Sequence, residues 1–388
     1  MQPVRIAGVG LTPLGRHPNR TGRELFAEAT NAAFEDTDIQ RTAVDALCLG
    51  NFVGDVSEQQ GHQGPLMADA AGVSAPATRF ENACASGGVA VRGAVQAIQN
   101  GDADVVLVGG VEKLTTLGTG GSTEALAMAA DDLFESRVGL TFPGAYALLA
   151  RAYFEEHGGS REELAAISVK NHKNAVDNEY AQFRREITVE DVLTAPTIAD
   201  PLGLYDACPV TDGAAAAVLV SEEYAIRSDV DTSVAVTGSG QGGDTLALQD
   251  RDDLTRTPAA EGAATQAYEQ AGITPEDVDI AEVHDCFTIA EVLAIEALGF
   301  YEPGTGIAAA MDGETTVDGR LPVNLSGGLK AKGHPVGATG VAQLVELTRL
   351  LRGDHPKSED VSDARVAVAH NAGGTVASAV VHILEADG

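Results

Sequence analysis

The sequence predicts an α/β protein of two related halves, the first interrupted by a loop-rich insertion. Three observations carry this reading. Strand-like and helix-like periods alternate up to about residue 112 and again from 214 onward; the rhythm changes to loops and helices over 113–213; and each half runs strand, helix, strand and then a Gly-rich turn into a helix. A chain of 388 residues is long enough for two such halves around one core. The expected division is therefore 1–112 with 214–240 as the N-terminal half, 113–213 as the insertion, and 241–388 as the C-terminal half.

Residues 4–10 read as a buried strand, and Thr21 with Glu24 forms a capping box for a helix starting near Arg23. Residues 45–54 supply the next strand. A short extended piece at 78–82 runs into a helix from about Cys84 to Asn100, whose Val91, Ala94, Val95 and Ile98 share a face and which Gly101 stops. Residues 104–112 are a buried strand. Within the insertion, helices are expected over 145–157 and after Ser160, which pairs with Glu163 in a second capping box. Strands resume at 214–220 and 234–240, a helix follows at 258–271, and a strand at 280–285. Helices at 287–298 and 337–352, stopped by Gly299 and Gly353, lead to final strands at 365–371 and 377–386. No repeat of 20–50 residues is visible, which disfavours solenoids and propellers.

Acidic residues number 57 against 25 basic ones, a formal charge of -32, which repels nucleic-acid phosphates and anionic headgroups; no basic patch offsets it. Only six residues are Lys, and Trp is absent. That composition fits a salt-adapted cytosol, because in molar salt the Debye length falls to roughly 3 Å and self-repulsion is screened. The four cysteines lie far apart without a C-x-x-C pair, so neither a zinc site nor a disulfide framework is expected. The start carries neither a signal-peptide layout nor an eighteen-residue apolar stretch, and a cytoplasmic location is expected.

Four turns at strand ends carry chemistry. In 81–88, Cys84 stands where a strand-like piece meets an apolar helix, and a helix N-terminus favours a thiolate there; a buried structural cysteine is the alternative. In 283–287, His284 and Cys286 share one tight turn, read either as proton-transfer groups or as a helix start capped by Asp285; no further metal ligands stand nearby in sequence. In 326–340, five glycines surround His334, and Lys330 and Lys332 are candidates for a phosphate-bearing ligand, with solvated lysines the alternative. In 369–374, His370 precedes a Gly turn whose N–H groups can receive an oxyanion. Ligands collect at the carboxyl edges of α/β sheets, so these turns point to one site. Gly238-x-Gly240-x-x-Gly243 formally matches a dinucleotide fingerprint, but no periodic helix follows, and it reads as a turn near the ligand entrance with Gly240 able to touch it. The remaining histidines, His172 among them, have no catalytic setting in the sequence.

Taken in order, these motifs resemble those of the thiolases, specifically the sterol-carrier-protein type and its archaeal relatives, over nearly the whole chain. The stretch at Cys84 resembles the C-x-S nucleophile motif, 283–287 the signature of the sterol-carrier-protein branch, 333–340 the histidine motif, and 370–374 lies where other thiolases carry C-x-G; 179–183 and 206–214 resemble the connecting region of that branch. The resemblance implies a thiolase fold, a layered α-β-α-β-α core with duplicated halves and an inserted loop domain, assembled as homodimers or dimers of dimers. It implies an acetyl-CoA acetyltransferase acting through an acyl-Cys84, with coenzyme A and acyl-CoA as substrates and no tightly bound cofactor or metal. His334 would deprotonate Cys84, N–H groups of Cys84 and the Ala372-Gly373-Gly374 turn would hold the oxyanion, and His334 with His284 would face the enolate. His370 replaces the usual C-x-G cysteine, so Cys286 is favoured over His370 as second acid/base, with both kept in the site. By analogy a small OB-fold, zinc-ribbon protein is an expected partner. A thiolase-like retro-aldolase and a non-catalytic acyl-CoA-binding subunit are the competing readings.

Overall fold

The computed structural model describes residues 3–230 and 232–387. The first half opens with β1 (Val4–Leu11), α1 (Gly22–Glu35), β2 (Ala46–Gly50), α2 (Gly54–Ser57), α3 (Gln63–Ala71), β3 (Ala77–Phe80), α4 (Ser86–Gln99) and β4 (Val105–Glu112). The insertion holds α5 (Gly118–Ala127), α6 (Phe142–His157), α7 (Arg161–Ala175), α8 (Val189–Thr194) and the short strands β5 (Thr197–Ala199) and β6 (Leu202–Gly203). Next come β7 (Gly213–Ser221), α9 (Glu222–Ser228), β8 (Val234–Gly243), α10 (Pro258–Ala271), β9 (Ile280–Glu282), α11 (Thr288–Ala297), α12 (Gly306–Met311), α13 (Thr339–Arg352), β10 (Val366–Gly373) and β11 (Ser378–Ala386).

Nine strands run in the order β3-β2-β4-β7-β1-β8-β11-β10-β9. Setting β3 aside, β2-β4-β7-β1 repeats as β9-β10-β11-β8, so both halves have one topology, joined where three residues of β1 pair with β8. Because β8 pairs along its whole length with β11, it belongs to the second half, and the expected boundary at 240 falls inside a strand.

The layers follow from the apolar faces. Leu25, Phe26, Ala29 and Ala33 of α1 cover one face of the first half with α3, while Ala263 and Ala267 of α10, Ile295 of α11 and Leu298 just past its end cover one face of the second. Between the halves lie α4 and α13, where Val91, Ala94, Val95 and Ile98 meet Val341, Leu344 and Leu347 against strands of both. The result is five layers with two helices at the centre. Full burial of one Val or Leu contributes about 1.5–3 kcal/mol, so the predicted face of α4 is a main anchor of the core. The insertion stands on α11 through Tyr146, Leu149 and Tyr153 of α6.

Alternating glycines on β8 seat α10: a Cβ on Gly238, Gly240 or Gly242 would come within 2.3, 1.9 or 2.0 Å of the carbonyls of Ala267, Ala263 and Ala259. Gly8 and Gly10 of β1 meet Ala33 and Ala29 of α1 in the same way, at 2.2 and 2.1 Å. The apparent dinucleotide fingerprint is therefore a helix-packing groove on a strand, and Gly240 is not a ligand contact or a turn. No helix among the described residues is long and apolar enough to cross a membrane.

Candidate active site

Cys84 lies immediately before α4, on a bend that the sequence builds deliberately. Ala83 has φ 47°, a left-handed conformation that costs a non-Gly residue energy and persists only when neighbours hold it. Ser86 does so: its Oγ accepts from the N–H of Asn82 at 2.9 Å and donates to the carbonyl of Ala83 at 2.6 Å. The Ser of the C-x-S motif is thus the clamp of the bend. Backbone N–H groups of Gly374 and of Cys84 itself reach the sulfur. Burial nevertheless pushes the thiol up to about 12, with the Glu112 carboxyl adding to it, so the resting residue is a thiol rather than the thiolate expected at a helix start.

Three imidazoles stand beside it, and their hydrogen bonds sort them by role. Thr339 Oγ1 donates to the carbonyl of Pro335 at 3.1 Å, so it accepts from Nδ1–H of His334 at 2.7 Å, leaving the lone pair on His334 Nε2. Asn371 works the other way. Its Oδ1 accepts from the N–H of Gly88 and its amide donates at 3.0 Å to the carbonyl of Cys84 and at 3.1 Å to Nδ1 of His284, so His284 carries its proton on Nε2. His370 Nδ1 accepts from the N–H of His284 at 3.4 Å and likewise holds Nε2–H. The Nε2 atoms of all three are buried without a partner. Burial lowers His334 to about 3 and His370 to about 4, and it holds His284 well below the ordinary imidazole range, with its imidazole neighbours adding to the effect. The site therefore offers one neutral base and two neutral donors.

Sγ of Cys84 and one ring nitrogen each of His284 and His334 lie within 4.8 Å of one another. An ion would accept that spacing. The Asn371 donor argues against it, because it keeps the proton on the His284 nitrogen that would have to be a ligand.

A cavity of about 460 Å³ opens onto Cys84, Cys286, His334 and Gly374. Its walls are largely apolar and come mostly from the insertion, including Leu126, Phe142, Tyr146 and Leu204. Neither His284 nor His370 is part of this lining, but a ring nitrogen of His284 lies within 4.8 Å of the Cys84 sulfur. Cys286 has its thiol raised well above the ordinary range, first by burial and then by Cys208, which also lines the cavity. His172, which has no catalytic setting in the sequence, forms part of the wall, stacked 6.0 Å from Phe183.

Four other expectations are corrected. Lys332 is not a phosphate site: it is buried, with Nζ 3.6 Å from Glu282 and 3.7 Å from Glu346. Lys330 reaches the cavity wall, but it is buried and its Nζ donates to the carbonyl of Ala207 at 2.9 Å, so it is not a solvated cation waiting for a phosphate. Ala372 and Gly373 are paired with Ala379 and Ser378 in the β10–β11 ladder, and only Gly374 of that turn faces the cavity. The strand expected to reach residue 285 ends at Glu282, because Asp285 turns away to accept the N–H of Leu329 at 2.6 Å. Tyr146, Thr339 and Arg185 were not singled out by sequence; Arg185 is an exposed cation on the cavity wall, held at 2.6 Å to the hydroxyl of Tyr205.

A cysteine thiol on a strained bend, beside an imidazole lone pair and backbone donors at one end of a duplicated five-layer fold, is a site of the kind acyl transfer uses. Residues 4–223 match the family described as "Thiolase, N-terminal domain" and residues 240–386 "Thiolase C-terminal domain-like". The chain belongs to the thiolase family and is an acyltransferase. It is 45% identical over 384 residues to the acetyl-CoA acetyltransferase of Methanothermobacter thermautotrophicus, covering 99% of each chain. It is 34% identical over 388 residues to human sterol carrier protein 2, covering 96% of this chain and 70% of that one. A solved structure, the Ltp2-ChsH2(DUF35) aldolase, superposes with TM-score 0.83 at 27% identity, covering 99% of this chain and 98% of the other.

Proposed function

We propose that the protein passes acyl groups between coenzyme A thioesters through an acyl-Cys84, condensing acyl-CoA with acetyl-CoA or cleaving 3-ketoacyl-CoA with CoA. One observation carries this: the His334 lone pair and the Cys84 thiol share a buried pocket with two N–H groups already aimed at the sulfur. As the thioester carbonyl arrives, Nε2 of His334 takes the thiol proton, the sulfur attacks, and the N–H groups of Cys84 and Gly374 receive the oxyanion. Cys286 gives its proton to the departing CoA sulfur and becomes a thiolate. That thiolate then takes a proton from the methyl group of acetyl-CoA, while Nε2–H of His284 and of protonated His334 face the enolate oxygen. The enolate carbon attacks the acyl group, and Cys84 leaves with the proton that His334 has kept.

Cys286 is favoured over His370 because it lines the cavity and His370 does not. Coenzyme A enters as a substrate past Arg185, the exposed cation of the wall, rather than past Lys330 or Lys332. A homodimer or a dimer of dimers, with a small OB-fold, zinc-ribbon partner, is the proposed assembly; the aldolase relative's name pairs Ltp2 with a DUF35 protein. That relative also keeps a retro-aldol reading in view, but such chemistry needs no acyl-enzyme and therefore no Cys84 on a strained bend. Exchange of labelled CoA into acetyl-CoA, measured in molar KCl, separates the two: a thiolase exchanges and a retro-aldolase does not.

A further inference from the structure

We propose that Tyr146 is a positioning residue for the second acid/base: its hydroxyl serves the carbonyl of Gly374 while Cys286 is a thiol and turns to the Cys286 sulfur when that becomes a thiolate. This rests on the reading of Cys286 given above. Tyr146 is fully buried on α6, and its ring stacks on Phe287 at 4.6 Å and 22°, so the oxygen has one place to be. From there it donates to the Gly374 carbonyl at 2.9 Å, and Cys286 stands on the same cavity wall, close enough for phenol and thiol to act on each other's charge. The opposite face of the same Gly374 peptide turn sends its N–H toward Cys84. One phenol thus touches both halves of the reaction, the turn that receives the first oxyanion and the thiol that moves the second proton.

A phenol has one proton to give, and rotation about its C–O bond alone redirects it. With Cys286 protonated, the carbonyl is the better acceptor. A buried thiolate is better still, since hydrogen bonds to charged acceptors are roughly twice as strong as neutral ones. The other groups facing Cys286 are Cys208, Cys84, Asp285 and Lys330, and Arg251 and Cys84 face the phenol. None of these is a hydroxyl that can switch partner.

The test is Tyr146→Phe in the full chain, in molar KCl. Condensation of two acetyl-CoA molecules is expected to slow roughly ten- to a hundredfold, and its acid-side midpoint to move up by about one pH unit, because the thiolate has lost a donor. Acylation of Cys84 by acetyl thionitrobenzoate, whose leaving thiol needs no proton from Cys286, should slow by at most about threefold through the lost bond to the Gly374 turn and keep its midpoint. Unaltered condensation and midpoint overturn the proposal, as does an equal loss in the acylation control. Should the Phe variant fail to fold, 3-fluorotyrosine at position 146, a stronger donor of nearly the same shape, must move the midpoint down; an unmoved midpoint overturns the proposal. Wild-type enzyme that condenses normally beside an unaffected variant overturns the role of Tyr146 alone, whereas a wild type that takes no acetyl group overturns the functional reading beneath it.

Discussion

Nδ1–H of His334 donates to Oγ1 of Thr339 at 2.7 Å, across the turn that joins the Gly-rich loop to α13. That bond decides which ring nitrogen keeps a lone pair. Replacing Thr339 by Val keeps the shape and removes the acceptor, so the proton is free to move to Nε2 and the base is lost for part of the time. Thr339→Val is expected to lower the rate of Cys84 acylation roughly tenfold while KM for acetyl-CoA stays near its original value. A wild-type rate would show that the tautomer is fixed by something else.

Cys286 and His370 are separable by experiment. Cys286→Ala should abolish carbon–carbon bond formation while leaving the acylation of Cys84 by acetyl thionitrobenzoate unaltered. His370→Ala should retain measurable condensation, because the ring backs His284 from outside the cavity lining. The reverse pattern reassigns the acid/base to His370.

Burial lowers six imidazoles, His172, His284, His334, His355, His370 and His382. The unfolded chain takes up these protons near pH 6.5 and the native chain only at lower pH, so the stability they contribute is present above 6.5 and falls as pH drops toward 4. Glu112 and Asp285, both raised to about 7 mainly by burial, act in the opposite sense as pH falls below 7, but they are two groups against six. Melting temperatures in molar KCl should therefore fall steadily between pH 6.5 and 4; a flat profile contradicts the neutral buried cluster.

Four of the six lysines, Lys113, Lys170, Lys330 and Lys332, are buried, which leaves the surface positive charge almost wholly to Arg. With a formal charge of -32, desalting from molar to millimolar KCl lengthens the screening distance from roughly 3 Å to beyond 30 Å. Loss of the circular dichroism signal is expected on that change. A native spectrum in low salt removes the salt-adapted reading.

Much of the fold was legible because periodicity reports burial: the face of α4 formed by Val91, Ala94, Val95 and Ile98 is buried as its spacing requires. The capping box at Thr21 begins α1, while Ser160 caps α7 with one backbone bond only, its Oγ accepting from the N–H of Glu163. Motif turns could be read because Cys, His and Gly at strand ends are chemically specific. Lys330 and Lys332 could not be, since a lysine's depth depends on partners far away in sequence, such as Glu346 for Lys332. Tyr146 was invisible for a related reason: on α6 it obeys the helical apolar pattern, and its hydroxyl acquires meaning only when Gly374, 228 residues on, folds against it. Gly240 misled because a strand glycine that admits a helix and a loop glycine that admits a phosphate look alike until the neighbouring element is known.

The measurement that bears most directly on the account is mass spectrometry of peptides after the enzyme meets acetyl-CoA in molar KCl and is quenched in acid. One acetyl group on the peptide containing Cys84, absent from a folded Cys84→Ala variant, is the predicted result. Condensation that proceeds in Cys84→Ala, or a wild-type enzyme that turns over with Cys84 never acetylated, would contradict it.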